Sequence, residues 1–295
     1  MVRLSARWRP LPALLVLLAA SLADVVAVRA QSETPELALR PDSAPRPEAV
    51  HCVHGCPVGA SPRNDLIVRP IYALSSNDDT KFADWAAYRV TRRTVGSGPE
   101  RDWRADPLLD ADDTLEPSDY RGAHARFGFD RGHQVPLASV GKTRHARYTN
   151  LLSNITPQKS ALNQGAWRKL EAAEQRLARR AGIDAVYVVT GPLYERTMPV
   201  LPGADEPHRV PSGYWKVLAV SAPVLRVAAF VFDQETPRAE EICTHVVRVD
   251  EVERRSGLDL FAELDDGAER GLEAGPAHLA RELGCAPTRT AASKR

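Results

Sequence analysis

At 295 residues, 43% hydrophobic and 26% charged, the chain is too apolar for wholesale disorder and long enough for one large domain or two small ones. Its 39 Lys+Arg against 38 Asp+Glu give a formal net charge of +1. That excludes a protein that coats nucleic acid through bulk positive charge.

Residues 1–30 stand apart. Arg3, Arg7 and Arg9 make a basic start, residues 11–20 an apolar run, and Val28-Arg29-Ala30 sets small residues where a signal peptidase cuts. This layout predicts a secretory signal cleaved near Ala30. A retained anchor is the competing reading, since residues 10–28 almost reach spanning length, but Asp24 interrupts them. Residues 1–30 hold four Arg and one Asp, so without them 35 Lys+Arg face 37 Asp+Glu, a net of −2. A polyanion would then have to be met by a local arginine cluster and a metal. Residues 31–50, with Pro35, Pro41, Pro45 and Pro47, read as a flexible linker. The folded domain is expected over 51–287, with a polar tail at 288–295.

Cys52, Cys56, Cys243 and Cys285 are an even set in a chain expected to be exported, which suggests two disulfides. Three pairings exist; the economical one joins Cys52–Cys56 and Cys243–Cys285. A metal site at residues 51–56, where two His accompany two Cys, is the rival, but a second ligand pair at zinc-finger spacing is lacking.

Within the expected domain, strand signals dominate. Residues 66–74 are apolar and β-branched; 85–91 alternate loosely; 185–190 form an apolar run ended by Gly191-Pro192; 215–220 and 226–232 read as a pair joined near Pro223. One helix is expected over 160–181, stopped by Gly182, and a second over 249–255, closed by Gly257. The long polar stretch 96–128 is the kind of loop that carries function. Together these give an α+β class, with a mostly antiparallel sheet and helices packed on it.

Three groups of residues suit phosphodiester chemistry, which needs a base for water, positive charge for the five-coordinate phosphorus and help for the departing oxygen. In Asp130-Arg131-Gly132-His133, a neutral imidazole can accept a proton near neutrality. It follows a glycine expected to let the backbone turn sharply, and Arg131 offers a donor fork to phosphate. The bland reading is an exposed turn with an Asp–Arg surface pair. Asn150, Asn154, Gln158 and Asn163 form an unusually dense amide cluster beside a helix start. Helix capping explains part of it, but Asn163 lies inside the helix, where its oxygen could bind a hard cation. Glu171 and Trp167 lean to the same side, and Glu171 could instead be an ordinary solvated helix residue. Arg101 and Trp103, in the polar stretch, suit a second phosphate clamp with an aromatic beside it.

On these residues the chain resembles the DNA/RNA non-specific endonuclease family of the ββα-metal superfamily, in its secreted Serratia-type branch. The resemblance spans most of 51–285. It rests on D-R-G-H-Q at 130–134, S-N-I-T-P-Q-K-S at 153–160, L-N-Q-G-A-W at 162–167, V-T-G-P-L-Y-E at 189–195 and Y-W-K-V at 214–217. It implies a ββα-metal nuclease fold, a central antiparallel β-sheet flanked by helices, with the family's two-disulfide layout. It also implies His133 as general base, Asn163 as the protein ligand of Mg2+ (Mn2+ as a substitute), and Glu171 acting on the metal through water. Arg101 and Arg131 would then stabilise the transition state, with Asn150, Asn154, Gln158 and Trp167 in support. Such an enzyme would be secreted or periplasmic and free of the membrane after signal cleavage. It would cut DNA and RNA to 5′-phosphate and 3′-hydroxyl ends, and the resemblance admits a homodimer. A catalytically silent nucleic-acid-binding module and a toxin nuclease held by an immunity protein are the alternatives. EDTA-sensitive cutting separates the first of these from an enzyme.

Overall fold

The computed structural model describes residues 47–273 and 278–285. The expected signal, residues 31–46 of the expected linker and the tail at 288–295 lie outside the described residues.

β1 (Asp65–Arg69) and β2 (Tyr72–Asn77) form a hairpin with Arg69 opposite Tyr72. The run at 66–74 is therefore two strands: Pro70, lacking an N–H, sits at the turn. β3 (Phe82–Val90) pairs with β2 across a bulge at Ser75/Ser76. β6 (Val186–Leu193), β7 (Gly213–Val220), β8 (Arg226–Asp233) and the short β9 (Val246–Val247) complete a seven-stranded sheet. Its order is β1-β2-β3-β6-β7-β8-β9, antiparallel throughout.

β6 does not stop at Gly191-Pro192 as expected. Its pairing with β3 ends at Thr190, while pairing with β7 continues to Leu193 opposite Gly213. Over residues 191–193 it is an edge strand on one side, where proline is tolerated. An added Cβ at Gly191 would lie 2.2 Å from the Asp84 carbonyl oxygen, so only glycine allows that approach.

Alternation along these strands divides the core between two faces. On one face Tyr88, Val188, Tyr214, Leu218, Phe230 and Phe232 meet the long helix α4 (Arg168–Ala178). On the other, Trp85, Ala87, Trp215, Val217 and Ala229 meet Val249 and Val252 of α5 (Val249–Ser256). Gly257, at φ 75°, closes α5 in the left-handed region, as expected. The Cys52–Cys56 and Cys243–Cys285 pairings both form. The second closes a separation of 42 residues, worth roughly 4 kcal/mol in chain entropy. Pro47–His51 is a 3-10 turn with Glu48 and His51 buried, so residues 47–50 of the expected linker are part of this turn.

Outside the large sheet, β4 (Phe129–His133) and β5 (Ile155–Lys159) make a two-stranded antiparallel ribbon with His133 opposite Ile155. The chain leaves β5 directly into a helix. The expected single helix is three pieces: α3 (Ser160–Leu162), a π-helical turn over Asn163–Trp167, and α4 (Arg168–Ala178). The kink is at Gly165, where an added Cβ would lie 2.6 Å from the Arg238 carbonyl oxygen. α4 holds down its inner side with Leu170, Ala173 and Leu177, each buried leucine worth about 1.5–3 kcal/mol. Short helices α1 (Ala123–Phe127) and α2 (Leu137–Val140) flank the ribbon; α6 (Asp266–Glu273) and α7 (His278–Glu282) follow α5. Among the described residues no helix is long and apolar enough to cross a membrane.

Candidate active site

The ribbon and the kinked helix face each other across a cleft of about 710 Å³. Arg101, Arg131, His133, Asn163 and Glu171 all line it. Asn150, Asn154, Gln158 and Trp167 do not; they stand behind it.

His133 ends β4 and is 8% exposed. Gly132 before it is not a turn, contrary to expectation: it is a strand residue opposite Thr156. Its lack of a side chain serves a close approach, since an added Cβ would lie 2.4 Å from the Gln158 Oε1. The imidazole Nε2 lies 3.3 Å from Asn150 Oδ1. Asn150 Nδ2 donates to the Glu100 carbonyl at 3.2 Å, so its oxygen is the atom presented to the ring. Nε2 therefore carries the proton and donates, leaving the lone pair on Nδ1. Burial lowers the His133 pKa to about 4, the Asn150 hydrogen bond opposing and the Arg101 charge assisting. At neutral pH the ring is uncharged, with Nδ1 free to accept a proton.

Arg101 and Trp103 reach the cleft because the polar stretch is stitched to the segment before β5. Arg104 bridges Leu151, and Leu152 N–H donates to the Arg104 carbonyl at 2.9 Å. Asp106 anchors it further, accepting from Ser153 Oγ at 2.5 Å and pairing with the buried Arg69. The Trp103 ring lies 5.3 Å from that of His133. The Arg131 guanidinium lies 5.8 Å from the Trp103 ring and 5.0 Å from the Tyr120 ring, and donates to the Pro117 carbonyl at 2.8 Å. Held on both flanks, it loses little further entropy on binding an anion.

Asp130, on the same strand as His133, organises the start of the helix. One carboxylate oxygen accepts from Asn163 Nδ2 (2.9 Å) and Gln164 Nε2 (2.8 Å), the other from Ser160 Oγ (2.7 Å), with His124 Nδ1 at 2.9 Å. Burial pushes the Asp130 pKa up, but these bonds outweigh it and hold the group below the usual carboxylate range. Spending the Asn163 NH2 on Asp130 leaves the amide oxygen without a protein hydrogen bond among the described residues. The sequence alone offers Asp130 only as half of a surface ion pair with Arg131. Strand alternation puts the two on opposite sides, and the helix supplies the partners.

Glu171 lies two turns beyond Asn163. Withdrawal from water raises its pKa to about 7; Lys216 and Trp167 oppose this and Glu174 adds to it. Behind it lies a polar network that sequence reading does not foresee. Glu174 and Lys216 are fully buried, their charged atoms 3.6 Å apart. Tyr88 OH donates to Glu174 at 3.0 Å and accepts from Lys216 Nζ at 3.1 Å, and Ser139 Oγ donates to Glu174 at 2.7 Å. Lys216 Nζ also sits 4.5 Å from the Trp167 ring centre. Trp167 is thus a core residue packed edge-on against Tyr214 and Phe232, away from the substrate side.

Asn154 is fully buried and pins the strand after His133. It accepts from Val135 N–H at 2.9 Å and donates to the Val135 and Thr149 carbonyls at 3.1 and 2.9 Å. Gln158 is equally buried, covering Gly132, with no hydrogen-bond partner for either amide atom among the described residues.

Comparison with known proteins agrees with this architecture. Residues 51–267 match the DNA/RNA non-specific endonuclease family. A nuclease of Serratia marcescens is 50% identical over 80% of this chain and 89% of its own. Human mitochondrial endonuclease G is 30% identical over 64% and 67%. A crystal structure of an EndoG/EndoGI complex superposes with a TM-score of 0.63 at 24% identity, covering 76% of this chain and 94% of that one, so the two share a fold. The chain belongs to the DNA/RNA non-specific endonuclease family and is an endonuclease by class.

Proposed function

We propose that the chain is a secreted or periplasmic, Mg2+-dependent, sugar-non-specific endonuclease that leaves 5′-phosphate and 3′-hydroxyl ends on DNA and RNA. The observation that carries this reading is the shared cleft: a neutral, tautomer-fixed imidazole at 133 opposite an amide oxygen at 163 that no described protein group uses.

The donor set fits a hard cation. The Asn163 oxygen is held outward by Asp130, Glu171 adds a carboxylate, and magnesium prefers few protein oxygens. Mn2+ satisfies the same ligands. When bound, the metal would supply positive charge to the phosphate and the departing 3′ oxygen.

The protein groups do the rest. His133 takes the proton of the attacking water at Nδ1, and Asn150 holds the ring while positive charge develops. Arg131, fixed between Trp103 and Tyr120, and Arg101 meet the growing charge on the phosphoryl oxygens. Asn154 and Gln158 keep the ribbon in register from behind. Contacts of this kind read phosphate and not base, so little sequence preference is expected. Homodimer formation is an expectation that sedimentation analysis checks.

The test is digestion of plasmid DNA and of RNA by the wild type and by His133→Ala, with and without EDTA. Wild-type cutting abolished by EDTA, and a variant slower by roughly 10²–10⁴-fold, is the expected result. Undiminished cutting by the variant, or in EDTA, refutes the mechanism.

A further inference from the structure

The cleft does not end at the catalytic residues. A second groove, of about 560 Å³, adjoins it along the outer side of α4, and the two share Arg168 and Ala172. Arg168, Ala172 and Arg176 follow one another at helical spacing, so both arginines lie on one face of α4. Both are exposed, and among the described residues neither guanidinium has a hydrogen bond or ion pair.

Their neighbours differ. Lys169 is spent on Glu241, at 2.6 Å, and on the Ala239 and Glu240 carbonyls. Arg180 lies 3.8 Å from Glu282. The nearby acids are thus engaged with other cations; Arg168 and Arg176 line the groove with unpaired guanidinium groups, while Arg179, also exposed, lines neither groove.

We infer that this face of α4 is an extended backbone track, on which Arg168 and then Arg176 hold phosphates of the nucleic acid leaving the scissile site. The inference rests on the nucleic-acid reading above and deepens it. Eight residues of helix span about 12 Å, the axial length of three to four base pairs at about 3.4 Å per phosphate along one strand. A substrate that reaches only a nucleotide or two past the scissile bond cannot touch Arg176, whereas a long strand can. Phosphate contacts of this kind add affinity and salt dependence without base selectivity.

The test is binding of a fluorescein-labelled duplex of about 24 base pairs and of a labelled tetranucleotide, followed by anisotropy in EDTA from about 50 to 200 mM salt. Arg176→Ala is expected to weaken duplex binding several-fold and to flatten the plot of log affinity against log salt by about 0.9; the Arg168→Ala/Arg176→Ala pair flattens it by about 1.8. Arg176→Lys keeps the slope. Arg254→Ala, on α5 against the opposite face of the sheet, is the surface control and keeps it too. A slope for Arg176→Ala equal to that of the wild type or of the control overturns the track, as does an equal loss on tetranucleotide and duplex. Parallel digestion with Mg2+ keeps the two readings apart: a wild type that binds along the track and never cuts would refute the hydrolytic mechanism and leave the track standing.

Discussion

The two walls of the cleft are built on different electrostatic plans. The ribbon wall buries neutral groups, the His133 imidazole and the Asn150 and Asn154 amides, and satisfies them through backbone carbonyls and one another. The helix wall buries charge: Glu174 and Lys216 entirely, with Glu171 in front of them. Burial disfavours the charged form in both places, so it acts in opposite directions on an imidazole and a carboxyl. It takes His133 down to about 4 and Glu171 up to about 7. A base kept free of its proton thus faces a carboxyl whose charge depends on neighbours. Pairs of titrating groups driven apart in this way are how one site divides its acid and base roles.

The sharpest way to break this contrast is Lys216→Met. It strands two buried or half-buried carboxyl groups without their cation, and removing one partner of a buried pair costs about 3–5 kcal/mol. Urea or thermal unfolding should show that loss. A change below about 1 kcal/mol would mean that the helix wall does not depend on the pairing.

A smaller effect, but a more telling one, is the pH profile of kcat/KM. The proposed roles need Glu171 ionised and His133 neutral, so each supports activity above its own pKa and loses it below. Activity should fall about tenfold per pH unit below about 7, where Glu171 takes a proton, and more steeply below about 4, where His133 does too. Raising Mg2+ should move the upper limb to lower pH, since a cation favours the ionised carboxyl. A single limb at the ordinary histidine value of about 6.5, insensitive to Mg2+, would contradict the assignment.

The smallest expected effect tests the neutral wall. Asn150→Ala removes the partner that selects the His133 tautomer and the tie to the Glu100 loop. A stability loss of about 1 kcal/mol should accompany a fall in kcat of roughly tenfold. If kcat is unchanged, Asn150 does not position the ring.

Much of this is legible in the amino-acid order. Alternation and β-branching mark most strands, glycine marks the end of α5, and the ordered blocks from 130 to 217 carry the family. Chemistry that stays within one element, such as a histidine in a short motif or an amide near a helix start, is visible because local spacing decides it. Three local expectations fail for a common reason. Gly132, Gly191-Pro192 and the uninterrupted helix over 160–181 rest on backbone preferences alone. In the structure each is governed by a distant neighbour: the Gln158 side chain, the Asp84 carbonyl with a missing strand partner, and the Arg238 carbonyl.

The sequence by itself determined which residue types were available: an imidazole, an amide and two arginines able to do phosphodiester chemistry, and cysteines whose spacing suits the observed pairs. Tertiary structure alone decided which side chains spend their hydrogen bonds and which keep them. Asn154 and Asn163 come from one cluster in the sequence, yet the first is consumed by Val135 and Thr149 while Asp130 leaves the second with its oxygen unused. Only packing brings Glu174 of α4 over Lys216 of β7, because a buried charge depends on contacts across many residues of chain.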